Sequence, residues 1–395
     1  MKCDVIVVGA GPAGCAAAID LARQGYAVRV LERGSLPQAK VCGDTLFAET
    51  LTLLEHLGLG ALARQEGLPL KTLNLQAPGG RVVPLEVNAT SLQRVRLHQL
   101  LQEEVRRSGA SIETAEVVAP LRQGESLRGV SVRGPGDEPG EVLAGLVILA
   151  GGARYATLEA FGLGLRPEPT AVGMRAYYRV LNPPVETAAH LAFHRVLGAG
   201  FGWVVPLPGG IYNIGCGRFL HGAPAGQTDL LKTLEAFIHH FEPAWRVVGH
   251  DDAIGLPCAG LLRSGLSGAV TAAQGLLVAG EAAGTASPLT GAGVARALES
   301  GLVAARTAAL ALQAGDFSAP FLVRHSARLE EGRSYYRELE RAERWFAAPR
   351  RLNLLAWQAA RHPPLRNAIS AIIDRGAVPA PVFSLAGLLG RVKSR

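Results

Sequence analysis

Cys3-Asp4-Val5-Ile6-Val7-Val8-Gly9-Ala10-Gly11-Pro12-Ala13-Gly14 is the stretch that decides the fold. The apolar run ending at Val8 reads as a buried parallel strand. A glycine turn follows at once, then an alanine-rich helix to about Gln24, stopped by Gly25. Ala27–Leu31 supplies a second strand, closed by Glu32 and Arg33. Strand, G-x-G-x-x-G turn, helix and strand form a β-α-β unit of the kind that holds a dinucleotide. Gly9 permits the tight turn, Gly11 lets backbone approach a pyrophosphate, and Gly14 lets helix and strand pack closely. Pro12 and Ala13 open the helix, whose free N–H groups and positive dipole end favour phosphate. Glu32 lies 18 residues beyond Gly14 and can accept hydrogen bonds from a ribose diol, with Arg33 beside it as a further cofactor contact.

Working outward, 395 residues suit two or three domains. Residues 94–108 read as a helix with Leu97, Leu100, Leu101 and Val105 on one face. Short strands near 114–119, 128–133 and 140–143 make a meander, and 145–150 is another buried strand. From about 166 to 265 strands alternate with turns, with one helix at 228–241. Residues 275–279 return to the buried-strand pattern, and 292–314 form a long helix stopped by Gly315. The remainder is helical and arginine-rich, broken by Pro363-Pro364 and by Pro379 and Pro381. The expected architecture is α/β: a Rossmann-type nucleotide-binding domain with an inserted sheet-based substrate domain and a C-terminal helical segment. Its boundaries fall at 1–165, 166–265, 266–320 and 321–395.

The net charge is +7, and residues 350–395 hold eight Lys or Arg against the single acid Asp374, so the whole excess sits there. A basic segment rich in Leu, Ile and Trp suits a membrane surface or an acidic partner better than nucleic acid. The N-terminus runs straight into the first strand without a basic leader, and no apolar stretch reaches the length of a membrane-spanning helix. Five cysteines without a CxxC pair suggest reduced thiols in a cytoplasmic protein. His190 with His194, and His239 with His240, lack a third ligand at a recognisable spacing, so no metal site is expected.

A second glycine-rich stretch, Gly280-Glu281-Ala282-Ala283-Gly284 running on to Pro288, Gly291, Ala292 and Gly293, follows a strand and opens a helix. It resembles the GDAAG…P…GxG segment of FAD enzymes of the hydroxylase and geranylgeranyl reductase type, with Glu281 in place of Asp. The resemblance implies that Glu281 binds the ribityl hydroxyls and that Pro288 and the glycine loop cradle the isoalloxazine. Arg94, at its helix start, resembles the family's arginine near FAD. Two glycine turns far apart in sequence are thus expected to grip one flavin from its adenine and its ring sides. No second G-x-G-x-x-G stands between a strand and a helix, so electrons are expected from transient NAD(P)H or from a separate reductase or ferredoxin.

Lys40-Val41-Cys42-Gly43-Asp44 resembles the KxCGD segment that geranylgeranyl reductases place over the flavin. This gives Cys42 and Gly43 a place at the ring and Cys42 a role as proton donor or substrate-positioning group. Phe201-Gly202-Trp203-Val204-Val205-Pro206 with Gly215-Cys216-Gly217 resembles the YxWxFP…GxG signature of the same group. Alternation places Phe201 and Trp203 on one strand face, where they suit a wall for an elongated apolar substrate. The same residues also resemble the GWxWxIP motif of flavin-dependent halogenases, for which Lys71 is the candidate tunnel lysine. Ala150-Gly151-Gly152 stands where related hydroxylases carry a DG segment, with Gly151 for Asp.

These resemblances imply an FAD-dependent oxidoreductase of the geranylgeranyl reductase-like group. It would reduce a C=C bond of a hydrophobic, isoprenoid-like or activated small molecule. The alternative is a monooxygenase or halogenase acting through a C4a-hydroperoxyflavin on a biosynthetic intermediate.

Overall fold

The computed structural model describes residues 3–34, 40–164, 168–180, 188–220, 229–248, 253–266, 269–331, 333–344, 348–377 and 382–384. Pro379, Pro381 and the last basic residues of the chain, Arg391, Lys393 and Arg395, lie outside them.

Val5–Val8 pairs in parallel with Val28–Glu32 on one side and Leu146–Leu149 on the other. Ser111–Thr114 and Leu276–Val278 extend this sheet in parallel, and Ala272–Ala273 closes it antiparallel as its sixth strand. The central strands are continuous apolar runs because both of their faces are covered. One face meets the helices Pro12–Arg23 and Val294–Ala314, whose alanines permit close approach: Ala16, Ala17, Ala304, Ala305 and Ala308 are fully buried. The other face meets the meander Glu116–Gln123, Ser126–Arg133 and Pro139–Leu143, whose Leu127, Val130 and Val142 pack on Ile6, Val8, Val147 and Leu149.

The second layer is an eight-stranded sheet ordered Ala253–Leu262, Ala171–Arg179, Ile211–Phe219, Gly200–Leu207, Ala188–Ala192, Leu68–Gln76, Val82–Ser91 and Thr45–Leu46. Its outer three strands come from residues 45–91, which the expected boundaries place in the nucleotide part. They join through parallel pairing of Leu68–Gln76 with Ala188–Ala192, in register Leu73↔Ala189 and Leu75↔Leu191. That pairing joins segments more than a hundred residues apart, and no local pattern announces it. The helices Pro349–Arg361 and Pro363–Arg375 pack on this sheet through Leu352, Leu355, Ala359, Leu365 and Ile369. Pro363-Pro364 begins the second of these helices, as proline's fixed φ allows at the first turn. No described helix is long and apolar enough to cross a membrane.

Candidate active site

The two glycine turns meet. A Cβ on Gly280 would lie 2.7 Å from the Cβ of Ala13, and one on Gly301 would lie 2.2 Å from the Ala13 carbonyl oxygen. The two helices that begin there have no side-chain cap and no acidic residue in their first turns. Their first N–H groups and dipole ends are therefore suited to anionic or electron-rich groups. The glycines of the first turn divide in role. A Cβ on Gly14 would meet the Gly9 carbonyl oxygen at 1.9 Å, and one on Gly9 (φ +104°) would meet the Ala150 oxygen at 2.5 Å. Nothing lies within 4 Å of a Cβ on Gly11. Two glycines are thus required by packing, while the third leaves an open cradle that fits the pyrophosphate of FAD in shape and charge.

The acids around this cradle are already engaged with the protein. Glu32 is buried, its Oε2 accepting from Ala10 N at 2.8 Å and its Oε1 from Gly34 N at 3.1 Å. It braces the turn, and a carboxylate oxygen has a further lone pair for the expected ribose contact. Arg33 is exposed, just past the strand Val28–Glu32. Glu281 pairs with Lys40 and accepts the Arg263 N–H at 3.0 Å. Lys40 entered the sequence analysis only as part of a motif, and Arg263 not at all. Pro288 is buried in the loop that leads to Gly291 (φ +68°), Ala292 and Gly293, just before the helix at Val294. Arg94 is buried, its Nε donating to His98 Nε2 at 3.1 Å and its N–H to Asp44 Oδ1 at 3.0 Å. Burial first, then the charges of Arg94 and Lys40, push His98 down to about 2, so the imidazole is a neutral acceptor.

On the substrate side the Cys42–Asp44 loop is held by a buried network. Asp44 is 1% exposed and has a left-handed backbone (φ +56°), uncommon for a residue with a side chain. Its Oδ2 accepts from Tyr177 Oη at 2.6 Å and from Asn213 Nδ2 at 2.8 Å. Asn213 Nδ2 also donates to the Cys42 carbonyl at 2.8 Å, while Asn213 Oδ1 accepts the Trp203 indole N–H at 2.9 Å. The Arg175 guanidinium lies 3.9 Å above the Tyr177 ring. Burial, against all of these donors, raises the Asp44 carboxyl above the ordinary range. Burial first and the Asp44 charge second raise the Cys42 thiol, whose sulfur accepts the Asp44 N–H at 3.3 Å. Cys42 is accordingly a protonated thiol rather than a thiolate nucleophile. Asp44, Tyr177, Arg175 and Asn213 were not picked out as site residues. Their signal is one of register, since Tyr177 faces Asn213 and Arg175 faces Gly215 across neighbouring strands.

The same register explains the glycines. A Cβ on Gly215 would lie 2.1 Å from the Trp203 ring, and one on Gly217 would lie 2.9 Å from the Phe201 ring. Both aromatics therefore lie flat across the adjacent strand. Phe201 also abuts the second cofactor turn, 3.6 Å from where a Gly291 Cβ would sit. Beyond Phe201 opens a cavity of about 720 Å³, mouth included, between the sheet and the two C-terminal helices. Leu75, Leu191, Leu289, Leu355, Ala356 and Ile369 are among its lining residues, and Thr290 is the one polar residue among the described residues that line it. Phe201 is among the lining residues, whereas Trp203 stands outside the lining, anchored to Asn213. Lys71 is exposed on its strand and absent from the lining. His190 and His194 pack against Phe241 with centroids 6.1 and 6.3 Å away.

Residues 2–199 match the FAD binding domain family. The digeranylgeranylglycerophospholipid reductase 2 of Methanopyrus kandleri is 30% identical over 342 residues, 84% of this chain and 83% of that protein. Among solved structures, a geranylgeranyl bacteriochlorophyll reductase-like protein from Thermoplasma acidophilum superposes with a TM-score of 0.79 at 20% identity, covering 96% of this chain and 98% of that one. The flavin-dependent brominase Bmp2 superposes with a TM-score of 0.78 at 16% identity, covering 99% of this chain and 98% of that one. The last two show the fold alone. From the paired glycine turns and these likenesses, the chain belongs to the FAD binding domain family, as a geranylgeranyl reductase-like FAD-dependent oxidoreductase.

Proposed function

We propose that the protein saturates a C=C bond of an elongated, isoprenoid-like substrate, drawing electrons from an external donor, either NAD(P)H that visits or a separate reductase or ferredoxin. The observation that carries this reading is the apolar cavity that runs from between the sheet and the C-terminal helices to Phe201, Leu289 and Thr290 beside the second glycine turn. When bound, FAD supplies the electron pair. The chain's own residues do the rest. The cavity walls exclude water and extend the substrate, and Phe201 fixes its approach to the cofactor loop. Cys42 is not among the lining residues but sits in the loop that Asn213 ties to the Trp203 strand, and as a protonated thiol it is the donor proposed for the second carbon of the double bond. The Asp44 N–H at its sulfur then steadies the thiolate until solvent restores the proton.

The test is anaerobic incubation of the FAD-loaded protein with dithionite and a geranylgeranyl-chain substrate, read by mass spectrometry. Gain of two hydrogens per double bond supports the reading, and an unchanged substrate mass overturns it. A second reading, monooxygenase or halogenase chemistry, draws on the fold shared with the brominase. Against halogenation stands the exposed place of Lys71, away from the cavity. Oxygen-dependent product that incorporates halide, and is lost in Lys71→Ala, would favour that reading over reduction.

A further inference from the structure

We propose that the outer face of the helix Pro349–Arg361, together with the tip of the neighbouring hairpin, docks the protein on an anionic lipid bilayer. The helix is two-sided. Leu352, Leu355, Ala356 and Ala359 line the cavity. Arg350, Leu354, Trp357 and Arg361 recur at spacings of four, three and four, which puts them on the opposite, exposed face. Leu354 and Trp357, 43% and 39% exposed, put two large apolar side chains side by side on the outer face of a helix that also builds a core. The Arg361 guanidinium lies 3.9 Å over the Trp357 ring, so the aromatic and the cation form one unit. The hairpin between Leu68–Gln76 and Val82–Ser91 is tied to this helix by Gly79 N donating to Asn353 Oδ1 at 2.7 Å. It adds Arg81 and Val82 to the exposed surface, Val82 at 46%.

The charge is one-sided. Residues 349–375 carry Arg350, Arg351, Arg361, Arg366 and Arg375 against Asp374 alone. Asp374 is buried and accepts the N–H groups of Ala48 and Asn88. Arg81 adds a cation at the hairpin tip, and the hairpin contributes one exposed acid, Glu86. Arginines flanking an exposed Trp and Leu on an acid-free helix face match an anionic interface: the guanidinium groups meet lipid phosphates while the apolar side chains enter the headgroup boundary. A soluble acidic protein would satisfy the arginines but leave Trp357 and Leu354 without an apolar phase. Because the hairpin and helix that carry this face also wall the cavity, a lipid-borne chain could pass into it from the interface. Vesicle binding does not depend on turnover, so this proposal and the reductase reading stand or fall separately.

The test is co-sedimentation of the FAD-loaded protein with vesicles of phosphatidylcholine, alone or with about 30 mol% phosphatidylglycerol. The expected result is binding at least ~10-fold stronger to the anionic vesicles, weakened as salt rises to about 0.5 M. The double variants Leu354→Asp/Trp357→Asp and Arg350→Glu/Arg361→Glu should each lose most of this binding. Retained FAD absorbance and an unchanged Tm would show that they are folded. Equal binding to neutral and anionic vesicles, or folded variants that bind like the wild type, would overturn the proposal. Should either variant misfold, the lipid and salt dependence of the wild type decides.

Discussion

The Trp203 indole N–H donates to Asn213 Oδ1 at 2.9 Å, and the amide of the same Asn213 holds both the Cys42 carbonyl and the Asp44 carboxylate at 2.8 Å. One fully buried side chain therefore sets the distance between the aromatic strand and the cysteine loop. Asn213→Leu, which keeps the branching, takes one of three donors from Asp44 and strands two buried polar groups, the Trp203 N–H and the Cys42 carbonyl. Each carries a desolvation cost of about 1–3 kcal/mol. The expected outcome is a lower Tm and kcat reduced at least ~10-fold with FAD content retained. A kcat equal to the wild type would show that Asn213 is structural only.

Gly11 and Gly14 should respond oppositely to the same added methyl. Gly14→Ala drives Cβ into the Gly9 carbonyl, and the turn must distort. It should give a destabilised protein that is colourless after soaking in FAD. Gly11→Ala meets no protein atom and has an extended, allowed backbone. Thermal unfolding without cofactor should match the wild type within about 0.5 kcal/mol. Its FAD affinity, measured by fluorescence titration, should fall at least ~10-fold as the methyl enters the pyrophosphate cradle.

Ala356 faces the cavity from the helix that forms its far wall. Ala356→Phe should shorten the space available and cost at most about 1–3 kcal/mol of stability. Steady-state kinetics with substrates of increasing chain length should show KM rising for the longest chains and changing little for the shortest. A uniform rise would place the substrate elsewhere.

Among the described residues, two histidines are buried neutral: His98, pushed down to about 2, and His325, pushed down to about 4 by burial despite its bond to the Val278 carbonyl. Each binds a proton in the unfolded chain below the ordinary histidine value of about 6.5 but not in the folded one. Stability is therefore full above about pH 6.5 and is lost as pH falls, by about 1.4 kcal/mol per pH unit for each histidine. For His325 the loss ends near pH 4, and for His98 it continues towards pH 2. Chemical unfolding between pH 7 and 4.5 should show stability falling with pH, and His325→Gln should make the slope shallower. An unaltered slope would exclude His325 as a source.

The sequence by itself determined the nucleotide half. Its β-α-β unit is local, and the glycines Gly9, Gly11, Gly14, Gly280 and Gly291 act through backbone conformation, which neighbouring residues specify. The resemblance of Phe201 and Trp203 to a known signature singled out the strand Gly200–Leu207, of which Phe201 lines the cavity. Only the tertiary structure decided what those motifs touch. Ala13 meets Gly280 across more than 260 residues of chain, Glu281 meets Lys40, and the cavity exists because a hairpin from the first quarter pairs in parallel with Ala188–Ala192 under helices from the last. The buried network of Asp44, Tyr177 and Asn213 belongs to the same class. Strand register and the burial of polar groups are set by the whole packed molecule, because a pairing partner far along the chain leaves no periodicity in the local sequence.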